Sequence, residues 1–153
     1  MYKLKITRFI PLVALVILLV SCDAKKAQDF NNKIVEAQKG LMSEVNSMKK
    51  DTVDALLKLQ HIQDITKAKL KEVVALQSPD GGDAFKQAMQ EDFQGIIESY
   101  DVLIAMVKQK NNADTLTILQ EKFSDWQSKL GDLDKKVIEE QKKFADKYHI
   151  KLQ

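Results

Sequence analysis

From Asp23 onward, apolar residues fall into four stretches with steps of three and four, the spacing of one helix face. No stretch alternates in the way a half-buried strand does. The first predicts a helix over about 24–50, on Ala27, Phe30, Ile34, Ala37, Leu41, Val45 and Met48. The second, over about 52–77, carries Val53, Leu56, Leu57, Ile62, Ile65, Val73 and Leu76 on a broader, less regular stripe. The third covers about 83–110, with Phe85, Met89, Phe93, Ile96, Tyr100, Leu103, Ile104 and Val107. The fourth, about 114–149, is the most regular. Its Leu116, Leu119, Phe123, Trp126, Leu130, Leu133 and Val137 alternate by three and four, as along a coiled-coil seam. Acids four residues ahead of bases (Asp125/Lys129, Asp132/Lys136, Glu139/Lys143) support that helix.

The breaks follow from residue chemistry. Ser78-Pro79-Asp80-Gly81-Gly82-Asp83 is the strongest, because Pro79 lacks a donor and the glycines permit positive φ. In Asn111-Asn112-Ala113-Asp114 a side-chain oxygen can cap the next helix. A helix running from 24 to 77 would exceed the usual globular length, so a break is expected near Lys49-Lys50-Asp51-Thr52. Four helices joined by short turns predict an all-α, antiparallel four-helix bundle.

The start of the chain has another character. Met1 to Arg8 holds Lys3, Lys5 and Arg8 and no acid, and leads into twelve uncharged, mostly branched residues, Phe9 to Val20. Crossing a bilayer takes about 20 residues at about 1.5 Å each, so this run is short for a membrane span. A basic segment followed by an apolar run of about 7–15 residues fits a secretory signal peptide. A buried helix and a signal anchor are the bland readings of the same run. Leu19-Val20-Ser21-Cys22 then resembles the lipobox of bacterial lipoproteins: Leu three before the cysteine, a small residue just before it, and Cys at the junction. That resemblance covers the first 22 residues. It implies residues 1–21 as a lipoprotein signal peptide, a helix preceding the bundle, with cleavage before Cys22, a diacylglyceryl thioether on Cys22 and an N-acyl chain, typically palmitate, on its new amino group. Cleavage by the ordinary peptidase at a small-x-small site, Cys22-x-Ala24, is the competitor. Asp23 resembles the inner-membrane retention signal of some lineages, and Lys25-Lys26 interrupts any acidic export signal, so the choice of membrane stays open.

Charge and composition now change meaning. The chain has 153 residues and a formal charge of +2, with 30% charged and 44% hydrophobic residues, five Gly, two Pro and one Cys. Of 24 cationic residues three precede the apolar run, leaving 21 Lys against 22 acids from Cys22 on, a net of −1. A slightly acidic mature chain without arginine argues against nucleic acid. One cysteine argues against a disulfide framework. Residues 22–153 are expected to form a single domain, which resembles the many small helical lipoproteins of unassigned function.

Chemistry inside such a bundle needs a pattern that is missing. Di-metal carboxylate bundles use two Glu-x-x-His pairs; here Lys58 precedes His61 by three and Asp146 precedes His149. No Cys-x-x-Cys-His exists for haem attachment, and Met42 and Met48 lie at the wrong height on the first helix to pair with His149, so the methionines read as packing residues beside the initiator. No Gly-x-Ser-x-Gly elbow appears, and Gly81-Gly82 is not a phosphate loop. Lys67, Lys69 and Lys71 read as a solvated face. Phe30, Phe85, Phe93, Phe123, Trp126 and Phe144 read as core, and Trp126 needs an N–H partner if buried.

The expectation is therefore a non-enzymatic lipoprotein without metal or cofactor. It is held on the cell membrane or outer membrane through Cys22, facing periplasm or surface, and binds a protein partner in the envelope. The alternative is a bundle that holds a small apolar ligand among its aromatics.

Overall fold

The computed structural model describes residues 10–48 and 54–152, with backbone only for 10–21 and Met48. The basic residues Lys3, Lys5 and Arg8, the side chains up to Ser21, and the expected break at Lys49-Lys50-Asp51-Thr52 with Val53 lie outside the described residues. The described residues form four helices: α1 (Ile10–Met48), α2 (Ala55–Ala75), α3 (Asp83–Lys108) and α4 (Ala113–Tyr148). Pro11 stands in the first turn of α1, where a missing N–H costs least. The helix expected over residues 1–21 and the first helix of the bundle are continuous where they are described, from Ile10 on, as α1. The expected starts and ends of α2, α3 and α4 fall within three residues of those observed.

The caps explain where the elements stop. Asp54 caps α2, its carboxylate accepting from the Leu56 N–H at 2.7 Å. Asn112 caps α4 by accepting from the Thr115 N–H at 3.1 Å. Between α2 and α3 the Gly82 N–H donates to the Pro79 carbonyl at 2.8 Å, and Gly81 takes φ 77°. A Cβ on Gly81 would also meet Lys147 Nζ at 2.9 Å. Gly81→Ala is expected to cost about 1 kcal/mol, since the left-handed region is costly for any residue with a Cβ; urea denaturation checks it. Beyond α4, His149 is left-handed and the Ile150 N–H returns to the Ala145 carbonyl at 2.9 Å, which folds Ile150 back into the core.

Side-chain contacts fix the directions. Phe30 meets Phe144, Gln63 reaches Ile97, and Glu91 reaches Lys136, so neighbouring helices run antiparallel. α3 is central. Ile97 faces α2 while Gly95 lies against Leu130 and Leu133 of α4, and two residues at 100° each put those directions about 160° apart. α2 and α4 therefore flank α3, and α1 lies over one face of the three. It buries Ala27, Phe30, Ile34, Ala37 and Leu41.

The core is concentrated at one end. Phe30, Phe85 and Phe144 pack edge-on or stacked, with ring centroids 5.4–6.3 Å apart, and Met89, Phe93, Val137 and Val73 continue the cluster. α1 touches α4 chiefly there, through the Phe30–Phe144 pair and the Gln141–Asn31 hydrogen bond of 3.0 Å. Higher up, among the described residues, α4 leans chiefly on α3. Leu116, Leu119, Phe123, Trp126, Leu130 and Leu133 are consequently only half-buried, and Ile118 is 65% exposed. The most regular seam in the sequence is thus the least covered, because periodicity records an apolar face and not what lies over it. Leu57 and Met42, placed on apolar stripes or read as packing, are 58% and 55% exposed at this same open end.

Candidate functional site

Cys22 is an exposed, free thiol on α1. Just beyond it on α1, Ala24 is half-buried and Ala27 fully so. The α2–α3 turn and the C-terminal end of α4 gather at the same end of the bundle. Between them and α1 lies an open groove of about 1180 Å³, lined among others by Asp23, Lys26, Lys33, Asp80, Lys147 and Tyr148. Lys147 bonds the Asp80 carboxylate at 2.7 Å, and the Tyr148 hydroxyl donates to the Asp80 carbonyl at 2.7 Å, so the turn is tied to α4. The Lys147 hydrogen bond and charge hold Asp80 below its ordinary range, and Asp80 in turn raises Lys147. Both groups lie in water, so this contact positions the turn more than it stabilises the fold.

A second groove, of about 490 Å³, runs over the outer face of α3 between Leu70 and Val74 of α2 and Trp126 and Leu133 of α4. Trp126 is half-buried at its lip, where solvent reaches the indole, and Lys129 Nζ sits 4.0 Å from its ring. That contact and the Lys136–Glu91 bond of 2.6 Å take two lysines away from their expected partners four residues earlier. Only Glu139–Lys143 of the three expected pairs forms, at 2.8 Å. A partner on the next helix displaces an exposed neighbour of small value. Lys67 and Lys69 pair with the interspersed Asp64 and Glu72, in keeping with a solvated face.

One polar residue in the interior escapes the sequence reading. Asp92 of α3 is 5% exposed and has no hydrogen-bond partner among the described residues. Burial first, and then the like charge of Asp134 on α4, push its carboxyl up to about 6. Ser78 Oγ is the one fully enclosed side-chain polar atom without a partner among the described residues, so the Asp92 carboxylate keeps a sliver of open surface. The signal was present: Asp92 stands three residues after Met89 and seven after Phe85, on the apolar stripe itself. Other buried polar side chains among the described residues are satisfied. Gln63 donates to the Ile97 carbonyl at 3.1 Å and to Asp101 at 2.6 Å, and Thr66 donates to the Ile62 carbonyl at 2.8 Å.

The remaining sequence candidates scatter. His61 is exposed on α2 and His149 is exposed at the end of α4. Among the described residues no three of His, Cys, Asp and Glu gather as metal ligands. Phe30, Phe85 and Phe144, candidates for lining a ligand pocket, fill the core against one another. Among the described residues no helix is long and apolar enough to cross a membrane. No protein-family model matches the chain, and neither a curated protein nor a solved structure is significantly similar to it.

Proposed function

We propose that the chain is a lipid-anchored protein of the bacterial cell envelope, without enzymatic activity, whose bundle works by binding another macromolecule. The observation that carries this is Leu19-Val20-Ser21-Cys22 at the end of a short apolar run, with the Cys22 thiol exposed and free. Two features support it. Cleavage before Cys22 spares the buried α1 residues Ala27, Phe30, Ile34, Ala37 and Leu41. Attachment at Cys22 also sets the α2–α3 turn and the end of α4 toward the bilayer, and the half-covered seam of α4 away from it. With a rise of about 1.5 Å per residue, that seam would stand about 30 Å from the membrane, within reach of a partner. The mechanism is positional. Two or three acyl chains anchor stably where one alone is marginal, and anchoring raises the effective concentration of the bundle toward partners on the same surface.

Cys22→Ser is expected to abolish labelling by a clickable fatty acid and to leave the uncleaved precursor in the membrane fraction. Processing of the variant to a normal mature length would overturn the assignment of Cys22. The bundle should fold unchanged in that variant, as its far-UV circular dichroism will report, because Cys22 is exposed and stands outside the buried core cluster.

A further inference from the structure

We infer that Asp92, backed by Asp134, is the acidic receptor for a lysine or arginine side chain of a partner polypeptide, which lays its apolar residues along the half-covered seam of α4. The inference rests on the interaction-module reading for its partner, and on the interior of the bundle for its site.

A carboxylate buried to 95% without a donor is costly, and a second carboxylate beside it adds to the cost. Below about pH 6 the free protein meets that cost by holding a proton, and above it the buried charge stands without a counterion among the described residues. A cationic group delivered to the same place would stabilise the ionised form, with each carboxylate contributing to one favourable contact. The apolar half of the recognition adjoins it. Leu130 lies one turn before Asp134 on α4, and Phe123 lies two turns before Leu130, both half-buried where α1 has ceased to cover α4.

The occupant follows from charge and position. A divalent metal would want more ligands than this pair, since calcium takes six to eight oxygens and no third His, Cys, Asp or Glu joins them among the described residues. A lipid headgroup is out of reach, because Asp134 lies nearly four helical turns from the Cys22 end of the bundle, about 20 Å or more. What fits is an ammonium or guanidinium on an apolar stem, which is the form of Lys and Arg.

The test is a pH titration of the Asp92 carboxyl carbon by NMR in the full-length chain in zwitterionic detergent, with n-hexylammonium chloride as the probe. Its midpoint should fall by about one unit at saturation. The probe should also bind about tenfold more tightly at pH 7.5 than at pH 4.5, where Asp92 is protonated. The Leu130 methyl signals should shift with it, whereas n-hexanol and calcium chloride leave the midpoint in place. Asp92→Asn, which removes a buried charge and is expected to fold, should abolish the pH dependence of binding, and Asp134→Asn should weaken it. Three outcomes overturn the inference: an unmoved midpoint, an equal response to calcium, or a midpoint that moves with protein concentration alone, which would make a second copy the occupant. None of these touches Cys22 labelling, so the anchored-module reading stands or falls separately.

Discussion

Phe144→Ala should destabilise the bundle by about 3–5 kcal/mol, whereas Phe123→Ala, six turns earlier on the same helix, should cost about 1 kcal/mol. Phe144 is 2% exposed and touches Phe30 of α1, Phe85 of α3 and Tyr148 of its own helix, with ring centroids 5.2–6.1 Å apart. Its removal leaves a cavity where three helices meet, in a domain whose whole stability is of order 5–15 kcal/mol. Phe123 leans on α3 with its other flank uncovered, so truncation loses part of the transfer energy and opens no enclosed void. Urea unfolding of both variants against the parent measures the contrast. Equal costs would mean that the open end is closed in solution.

That contrast marks how far the sequence was legible. The helices and their turns were readable because they depend on local chemistry: Pro79 and Gly81 at one turn, Asn112 capping at another, and apolar spacing within each element. The antiparallel order followed from connections too short to permit another. The proposed role of Cys22 also rests on a local pattern, Leu19-Val20-Ser21-Cys22. Coverage was not legible, because whether α1 lies over Leu130 or stops at Gln141 is decided between elements far apart in the chain. Lys136 shows the same limit. Its expected partner, Asp132, lay four residues away, and its actual one, Glu91, is on another helix. Asp92 was hidden differently, as an acid within an apolar stripe that the eye completes with Met89 and Phe93.

Asp92 also makes the stability of the bundle depend on pH in a direction opposite to the usual carboxylate. Its carboxyl holds a proton up to about 6 in the folded chain and releases it near 3.8 when unfolded. Between those values the folded state binds more protons, so the free energy of unfolding falls as pH rises. At neutral pH the loss is about 3 kcal/mol at most, from about 1.36 kcal/mol per unit. Asp80, Glu91 and Glu139 are shifted down by Lys147, Lys136 and Lys143, and their small contributions run the other way in every variant. They cancel when two variants are subtracted. Asp92→Asn should therefore be more stable than the parent by up to about 3 kcal/mol at pH 7.5, with the advantage shrinking through pH 6 and gone near pH 3.5. Asp134→Asn should recover only a minor part, because burial is the larger cause and the like charge the smaller. Urea midpoints across this range decide it: an Asp92→Asn difference that stays constant with pH would mean that the carboxyl is already solvated or paired in the folded chain. The cost that the ionised Asp92 imposes on the free bundle at neutral pH is the cost that a bound cationic side chain would relieve, because an opposite charge favours the ionised form.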